Sequence, residues 1–248
     1  MALILVMNLV IDVGNTLVKF AVFEHNSIVF KTSLKHNNFI REFKKLILRY
    51  KTINKVLISS VGNLDESYVD YIKVYFKVLI LDSNTKLPFL NKYKTPKTLG
   101  VDRIALVSAS VNHYSNKNVL IIDAGTCITY DFITSKNKYL GGAISPGLTL
   151  RYKALHNLTA NLPLLDTKLP EDLIGNSTES SIHSGVVNGI LREIDGTIKE
   201  YKGKFSDLTV ILTGGDSDFL SKQLKNTIFA NSNFLLEGLN FILEFNSN

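Results

Sequence analysis

Asp12 and Asp123 each follow an apolar run and each precede a glycine and a threonine. Leu9-Val10-Ile11 leads into Asp12-Val13-Gly14-Asn15-Thr16, and Val119-Leu120-Ile121-Ile122 leads into Asp123-Ala124-Gly125-Thr126. Apolar stretches follow both, Leu17–Phe23 and Cys127–Ile133. A tight turn built on glycine lets backbone N–H groups approach a phosphate, since no Cβ intervenes. An Asp at the strand end can hold the cation that neutralises that phosphate. One copy is ordinary turn composition, because Asp and Gly populate turns for local reasons. Two copies between apolar strands are expected to grip a nucleotide from both sides.

Four further clusters carry polar groups at places where chains turn. In Tyr93-x-x-Pro96-x-x-Leu99-Gly100-Val101-Asp102-Arg103, Asp102 offers a carboxylate to accept a proton and Arg103 a guanidinium to bind an anion. A simple helix-start role for the same Asp is the alternative. Gly141-Gly142-Ala143-Ile144-Ser145-Pro146-Gly147 permits close backbone approach or merely a turn. In Asn176-Ser177-Thr178-x-x-Ser181-Ile182-x-Ser184-Gly185, Thr178 is a functional hydroxyl or a helix cap. Thr213-Gly214-Gly215-Asp216 ends a strand where a base or ribose could lie on bare backbone. Neither a Gly-x4-Gly-Lys-Ser/Thr loop nor a Gly-x-Gly-x-x-Gly fingerprint occurs, and the five histidines lack metal-ligand spacing. The single Cys127 reads as a core residue rather than a nucleophile.

The elements that must position these groups repeat. Strands over 9–12, 17–24 and 27–31 precede a helix over 39–50, a strand over 56–60, a helix over 64–76 and a strand over 78–81. A loop over 82–97 and a helix over 99–114 end the first half. Strands over 119–122, 126–133 and 139–144 open the second half, with a helix starting near Pro146 and a long helix over 178–201. A strand over 208–212 and further helices complete it. Domains are expected at 1–115 and 116–248, with a cleft between two α/β halves related by duplication.

The 248 residues suffice for one large or two small domains, and 45% hydrophobic against 20% charged is the balance of a globular chain with a core. One cysteine excludes an internal disulfide and an all-Cys metal cluster, and together with the lack of a secretion signal points to the cytoplasm. Met1–Met7 lacks a charged leader region and is too short to span a bilayer, so it reads as a lead-in to the first strand, with Met7 a second candidate start. Residues 1–110 carry 16 Lys and Arg against 8 Asp and Glu, whereas residues 111–248 carry 12 against 14. Arg41, Lys44, Lys45 and Arg49 share a helix with Phe39, Phe43 and Leu46, which reads as a solvated basic back on a core-facing stripe.

In this order the motifs resemble the type III pantothenate kinases, a family of the actin-like superfamily that also holds sugar kinases and heat-shock chaperone ATPases. The resemblance covers Asp12-x-Gly-Asn-Thr-x-x-Lys19, the Tyr93–Arg103 stretch, Asp123-x-Gly-Thr126, Gly141–Gly147, Thr178–Gly185 and Thr213–Asp216. It implies a duplicated actin-like (RNase H-like) α/β fold and transfer of the γ-phosphoryl of ATP to the primary hydroxyl of pantothenate, the first step toward coenzyme A. It also implies ATP contacts from Asp12, Val13, Gly14, Asn15, Thr16, Lys19 and Thr126. Asp12 would hold Mg²⁺ through water and Asp123 a monovalent cation, K⁺ or NH₄⁺. Tyr93, Gly100, Val101, Asp102, Arg103 and Thr178 would bind pantothenate, with Asp102 as the catalytic base. Thr178, and less directly His156, would reach across a homodimer. No membrane or nucleic-acid partner is expected. The competing readings are a kinase for another hydroxy acid or a sugar, and a non-catalytic nucleotide-binding regulator of the same fold.

Overall fold

The computed structural model describes residues 6–60 and 65–247. The lead-in up to residue 5 and the expected helix start at Leu64 lie outside the described residues. The chain divides into two packed units, Met1–His113 with Asn233–Asn248, and Tyr114–Ser232. The second crossing is absent from the single cut expected at 115/116: the last helix belongs with the first unit.

The first unit carries strands β1 (Met7–Val13), β2 (Val18–Glu24), β3 (Ser27–Leu34), β4 (Ile53–Ser60), β5 (Lys77–Ile80) and the two-residue β6 (Leu90–Asn91). Its helices are α1 (Phe39–Arg49), α2 (Glu66–Lys73) and α3 (Val101–His113). The sheet runs β3-β2-β1-β4-β5; β1, β2 and β3 form an antiparallel meander, and β4 and β5 lie parallel to β1. The centre strand β1 is buried over Asn8–Val13, which is why it reads as an almost unbroken apolar run rather than an alternation. Helix α1 turns Phe39, Phe43 and Leu46 into this core, where Phe39 meets Phe20 edge-on at 5.2 Å and stacks on Tyr68 at 4.8 Å. Lys44 and Arg49 stay on its outer side, Lys44 lying 5.5 Å from the Tyr71 ring, as a solvated basic back requires.

Helix α3 has no polar face: Arg103–Ser110 are all buried. Ser108 and Ser110 stay satisfied by donating to Ile104 O and Leu106 O of their own helix, at 2.9 and 3.2 Å.

The second unit repeats the plan with β7 (Asn118–Ala124), β8 (Cys127–Ile133), β9 (Lys138–Pro146), β10 (Leu208–Thr213) and β11 (Phe229–Ala230). Its sheet runs β11-β10-β7-β8-β9, again a meander with two parallel additions. Identical order and direction in both units is the mark of the duplication. The helices are α4 (Leu148–Asn157), α5 (Thr178–His183), α6 (Gly189–Lys204) and α7 (Ser217–Ser221). A helix does start near Pro146: α4 opens at Leu148, and Pro146 itself ends β9 opposite Cys127. The helix expected over 178–201 is divided by a π-turn at Ser184–Asn188, where Ser184 Oγ donates to Leu173 O and accepts from Asn188 Nδ2.

The last helix, α8 (Phe234–Phe245), lies in the first unit. It packs on α3, and its buried Asn240 accepts from Asn8 Nδ2 of β1 at 2.9 Å and donates to His25 O at 3.0 Å. Asn8 Nδ2 also donates to Glu244.

Candidate active site

In the first unit the strand end of β1 delivers Asp12 to a buried position opposite Lys19 of β2, whose ammonium stands 3.7 Å from Oδ2. Burial raises the Asp12 pKa above the ordinary 3.8; the charge of Asp102 raises it further, and Lys19 works in the opposite direction. Two carboxylates from separate elements thus lie within electrostatic reach of one another. Between β1 and β2 the turn is closed by Gly14 N–H donating to Leu17 O at 3.0 Å, with Asn15 and Thr16 exposed at its tip.

Asp102 sits in the first turn of α3, where its Oδ1 accepts the Arg103 N–H at 2.8 Å. Gly100 makes this possible: a Cβ there would stand 2.3 Å from Asp102 Oδ1. The buried Arg103 lies with its guanidinium 5.5 Å from the centre of the Tyr93 ring, and Tyr93 N–H is fixed by Asn91 Oδ1 at 2.9 Å. The fold therefore brings Tyr93, Gly100, Asp102 and Arg103 together, and brings Asp12 within reach of Asp102.

In the second unit Asp123 is the penultimate residue of β7, and Gly125 N–H closes the turn onto Cys127 O at 2.9 Å. Two other glycine clusters converge on this hairpin. Gly147 N–H donates to Thr126 O at 3.0 Å, and Asp216 N–H donates to Ala124 O at 3.0 Å. Gly214, at φ +95°, lies so close that a Cβ would stand 2.4 Å from Asp123 Oδ1 and 2.3 Å from Ala124 O. Burial raises the Asp216 pKa. Three of the motifs singled out in the sequence thus build one surface.

Thr178 begins α5 but does not cap it. Ser177 does, accepting from Ser180 N–H and forming a reciprocal box with that serine. Thr178 lies on the wall of a groove of about 930 Å³ with Arg151, Leu155, Leu162, Ile182 and Val186. His156 is spent on the backbone: its Nδ1 bonds Leu162 O at 2.8 Å. Cys127, expected in the core, is exposed, because it is the first residue of β8 and stands beside the turn.

Sequence reasoning missed two features. His36 Nε2 lies 3.1 Å from Gly14 O. Arg151 donates to Pro146 O at 2.9 Å, to Ser145 Oγ at 3.1 Å and to Glu193, which also accepts from Tyr130 OH at 2.9 Å. Burial and then Glu193 push the Tyr130 pKa far above its ordinary value. Burial alone would raise Glu193, but the bonds from Arg151, Ser145 and Tyr130 outweigh it and hold the carboxyl below 4.5. No spacing rule links these residues, which come from α4, α6, the middle of β8 and the end of β9.

Among the described residues no group of three or more His, Cys, Asp or Glu could hold a metal alone. A divalent cation accompanied by phosphate oxygens fits Asp12 nonetheless: the carboxylate is buried, has a second carboxylate nearby and faces one half-exposed lysine. Mg²⁺ typically takes one or two carboxylates and completes its shell with phosphate and water. No helix among the described residues is long and apolar enough to cross a membrane.

The two units have the duplicated actin-like α/β fold. Solved structures of the same fold include one described as a Baf family transcriptional activator from Campylobacter jejuni, at 24% identity, TM-score 0.63, and 96% and 98% coverage of the two chains. The Lmo2764 protein of Listeria monocytogenes, described as an N-acetylmannosamine kinase, matches at 13% identity and TM-score 0.55, covering 98% of this chain and 100% of its own. The profile of the type III pantothenate kinase family matches residues 8–200. A type III pantothenate kinase of Christiangramia forsetii is 59% identical over 240 residues, 97% of this chain and 99% of the relative. That of Flavobacterium johnsoniae is 50% identical over 234 residues, 94% and 96% of the two chains. The chain belongs to the type III pantothenate kinase family, whose reaction is the ATP-dependent phosphorylation of pantothenate in coenzyme A biosynthesis.

Proposed function

We propose that Asp102 receives the proton of the pantothenate primary hydroxyl as that oxygen attacks the γ-phosphorus of ATP, giving 4'-phosphopantothenate and ADP. The observation that carries this reading is the pairing of functions in one unit: Asp102 lies within electrostatic reach of Asp12, beside the buried Arg103 and its Tyr93. An alcohol becomes acidic only as the P–O bond forms, so a carboxylate that orients the hydroxyl can take its proton late. Arg103 binds the pantothenate carboxylate, held in place by the Tyr93 ring, and Gly100 and Val101 line the acceptor's approach. Asn15 and Thr16 present backbone donors to the ATP phosphates, with Val13, Gly14 and Lys19 completing that side and Thr126 contributing from the second hairpin.

Mg²⁺, held by Asp12 through water, would neutralise charge on the phosphates of ATP. Asp123 would hold K⁺ or NH₄⁺, for which its carboxylate supplies oxygen donors. Thr178 would contact pantothenate bound to the partner subunit of a homodimer, and the groove it lines supports that arrangement. We place the enzyme in the cytoplasm.

The deciding experiment is an ATP-consumption assay with pantothenate, run with K⁺ and with Na⁺ in its place. Pantothenate-dependent turnover that requires K⁺ is expected. No turnover with pantothenate, or equal turnover in both salts, would refute the acceptor or the cation respectively. Sedimentation and activity across a dilution series test the dimer: full activity in the monomer rules out a shared site.

A further inference from the structure

His36 opens the short 3₁₀ turn His36–Asn38 that follows β3, and its Nε2 reaches 3.1 Å from Gly14 O, 22 residues earlier in the chain. A carbonyl oxygen only accepts, so Nε2 carries the proton in this contact. The N–H of the same glycine is bonded to Leu17 O at 3.0 Å. Gly14 is therefore fixed at both polar atoms, one from within the hairpin and one from the segment after β3.

The consequence falls on the next residue. Gly14 C=O and Asn15 N–H belong to one planar trans peptide and point in opposite directions. Anchoring the carbonyl on His36 turns the Asn15 N–H to the side of the hairpin away from the imidazole. Asn15 and Thr16 are exposed, so core packing does not set that direction. We infer that His36 is a positioning residue that orients the Asn15 N–H as a donor to a nucleotide phosphate. The inference rests on the reading that this hairpin holds the phosphates of ATP.

The test uses the full chain with His36→Ala and His36→Gln. MgATP affinity is measured by calorimetry, and KM for ATP and for pantothenate by steady-state kinetics. His36→Ala is expected to weaken MgATP binding about fivefold, the effect of one net hydrogen bond. Its pantothenate KM should stay at the wild-type value, and its melting temperature should fall by no more than the few degrees that one lost hydrogen bond costs. His36→Gln, whose amide N–H can reach the same carbonyl, should recover most of the affinity. In the wild type, long-range ¹⁵N–¹H spectra should show the neutral His36 ring protonated at Nε2. Unchanged MgATP affinity in His36→Ala, or a ring protonated only at Nδ1, overturns the inference. If the wild type fails to turn over pantothenate while His36→Ala still loses MgATP affinity, the acceptor assignment falls and the role of His36 stands. A wild type that binds no MgATP overturns both.

Discussion

Gly214 leaves no space for a side chain beside Asp123: a Cβ would come within 2.4 Å of Oδ1, on a backbone already at φ +95°. Its neighbour Gly215 would carry a Cβ with nothing inside 4 Å. Gly214→Ala is therefore expected to destabilise the chain by about 1–3 kcal/mol, from overpacking and the strained backbone together. Gly215→Ala should lie within about 0.5 kcal/mol of wild type, as substitutions away from packed features do. Urea unfolding of the two variants side by side checks the pair; equal midpoints would contradict the close approach at Asp123.

Asp12 is held at a cost to stability. Its pKa is raised in the folded protein, chiefly by burial and then by Asp102, so the folded state binds this proton more tightly than the unfolded chain does. The sign follows: stability from this group is complete below the unfolded value near 3.8 and falls as pH rises through the higher folded value. Asp12→Asn removes the buried charge and should raise the melting temperature at pH 7 while abolishing kinase activity. The gain should vanish near pH 3. A melting temperature lowered at pH 7 would show that the Lys19 contact dominates instead.

Asp102→Asn preserves size and hydrogen-bonding shape but cannot take a proton. A loss of about 10²–10⁴ in kcat is expected, with the KM for ATP close to wild type. Steady-state kinetics with varied ATP at saturating pantothenate separates the two parameters. Near-wild-type turnover would remove Asp102 from the chemistry.

Glu193 behaves in the opposite sense from Asp12. Burial opposes its ionisation, yet Arg151, Ser145 and Tyr130 lower its folded pKa below 4.5. Its contribution is therefore present above the unfolded value and lost as pH falls through the folded one. Glu193→Gln should lower the melting temperature at pH 7, and the difference from wild type should narrow below pH 4.5. Parallel melting curves across that range would mean that the ion pair with Arg151 adds nothing.

Much of the fold was legible because strand and helix periods are local. The two Asp-x-Gly turns sit at the ends of apolar strands, and α1 shows its buried stripe at helical spacing. What escaped depends on partners distant in sequence. Pro146 marks the approach of a helix, but its pairing opposite Cys127 keeps the residue itself in β9. Cys127 has apolar neighbours on one side only, and its place at the strand's first residue exposes it. Ser177 and Thr178 are equally good caps by composition, and only the bond to Ser180 distinguishes them. The contact of His36 with Gly14 uses a backbone oxygen, which leaves no trace in residue types. The convergence of Gly147 and Gly214 on one hairpin follows from sheet order rather than from either motif.

The bond between Asn8 and Asn240 joins residues 232 positions apart. On the ribosome, β1 emerges long before the helix that seals it, and the whole second unit is translated in between. The lobe bearing Asp12 and Asp102 can close only when synthesis has reached α8. A product clipped before Phe234 would keep every residue assigned here to chemistry and still lack the piece that finishes their scaffold.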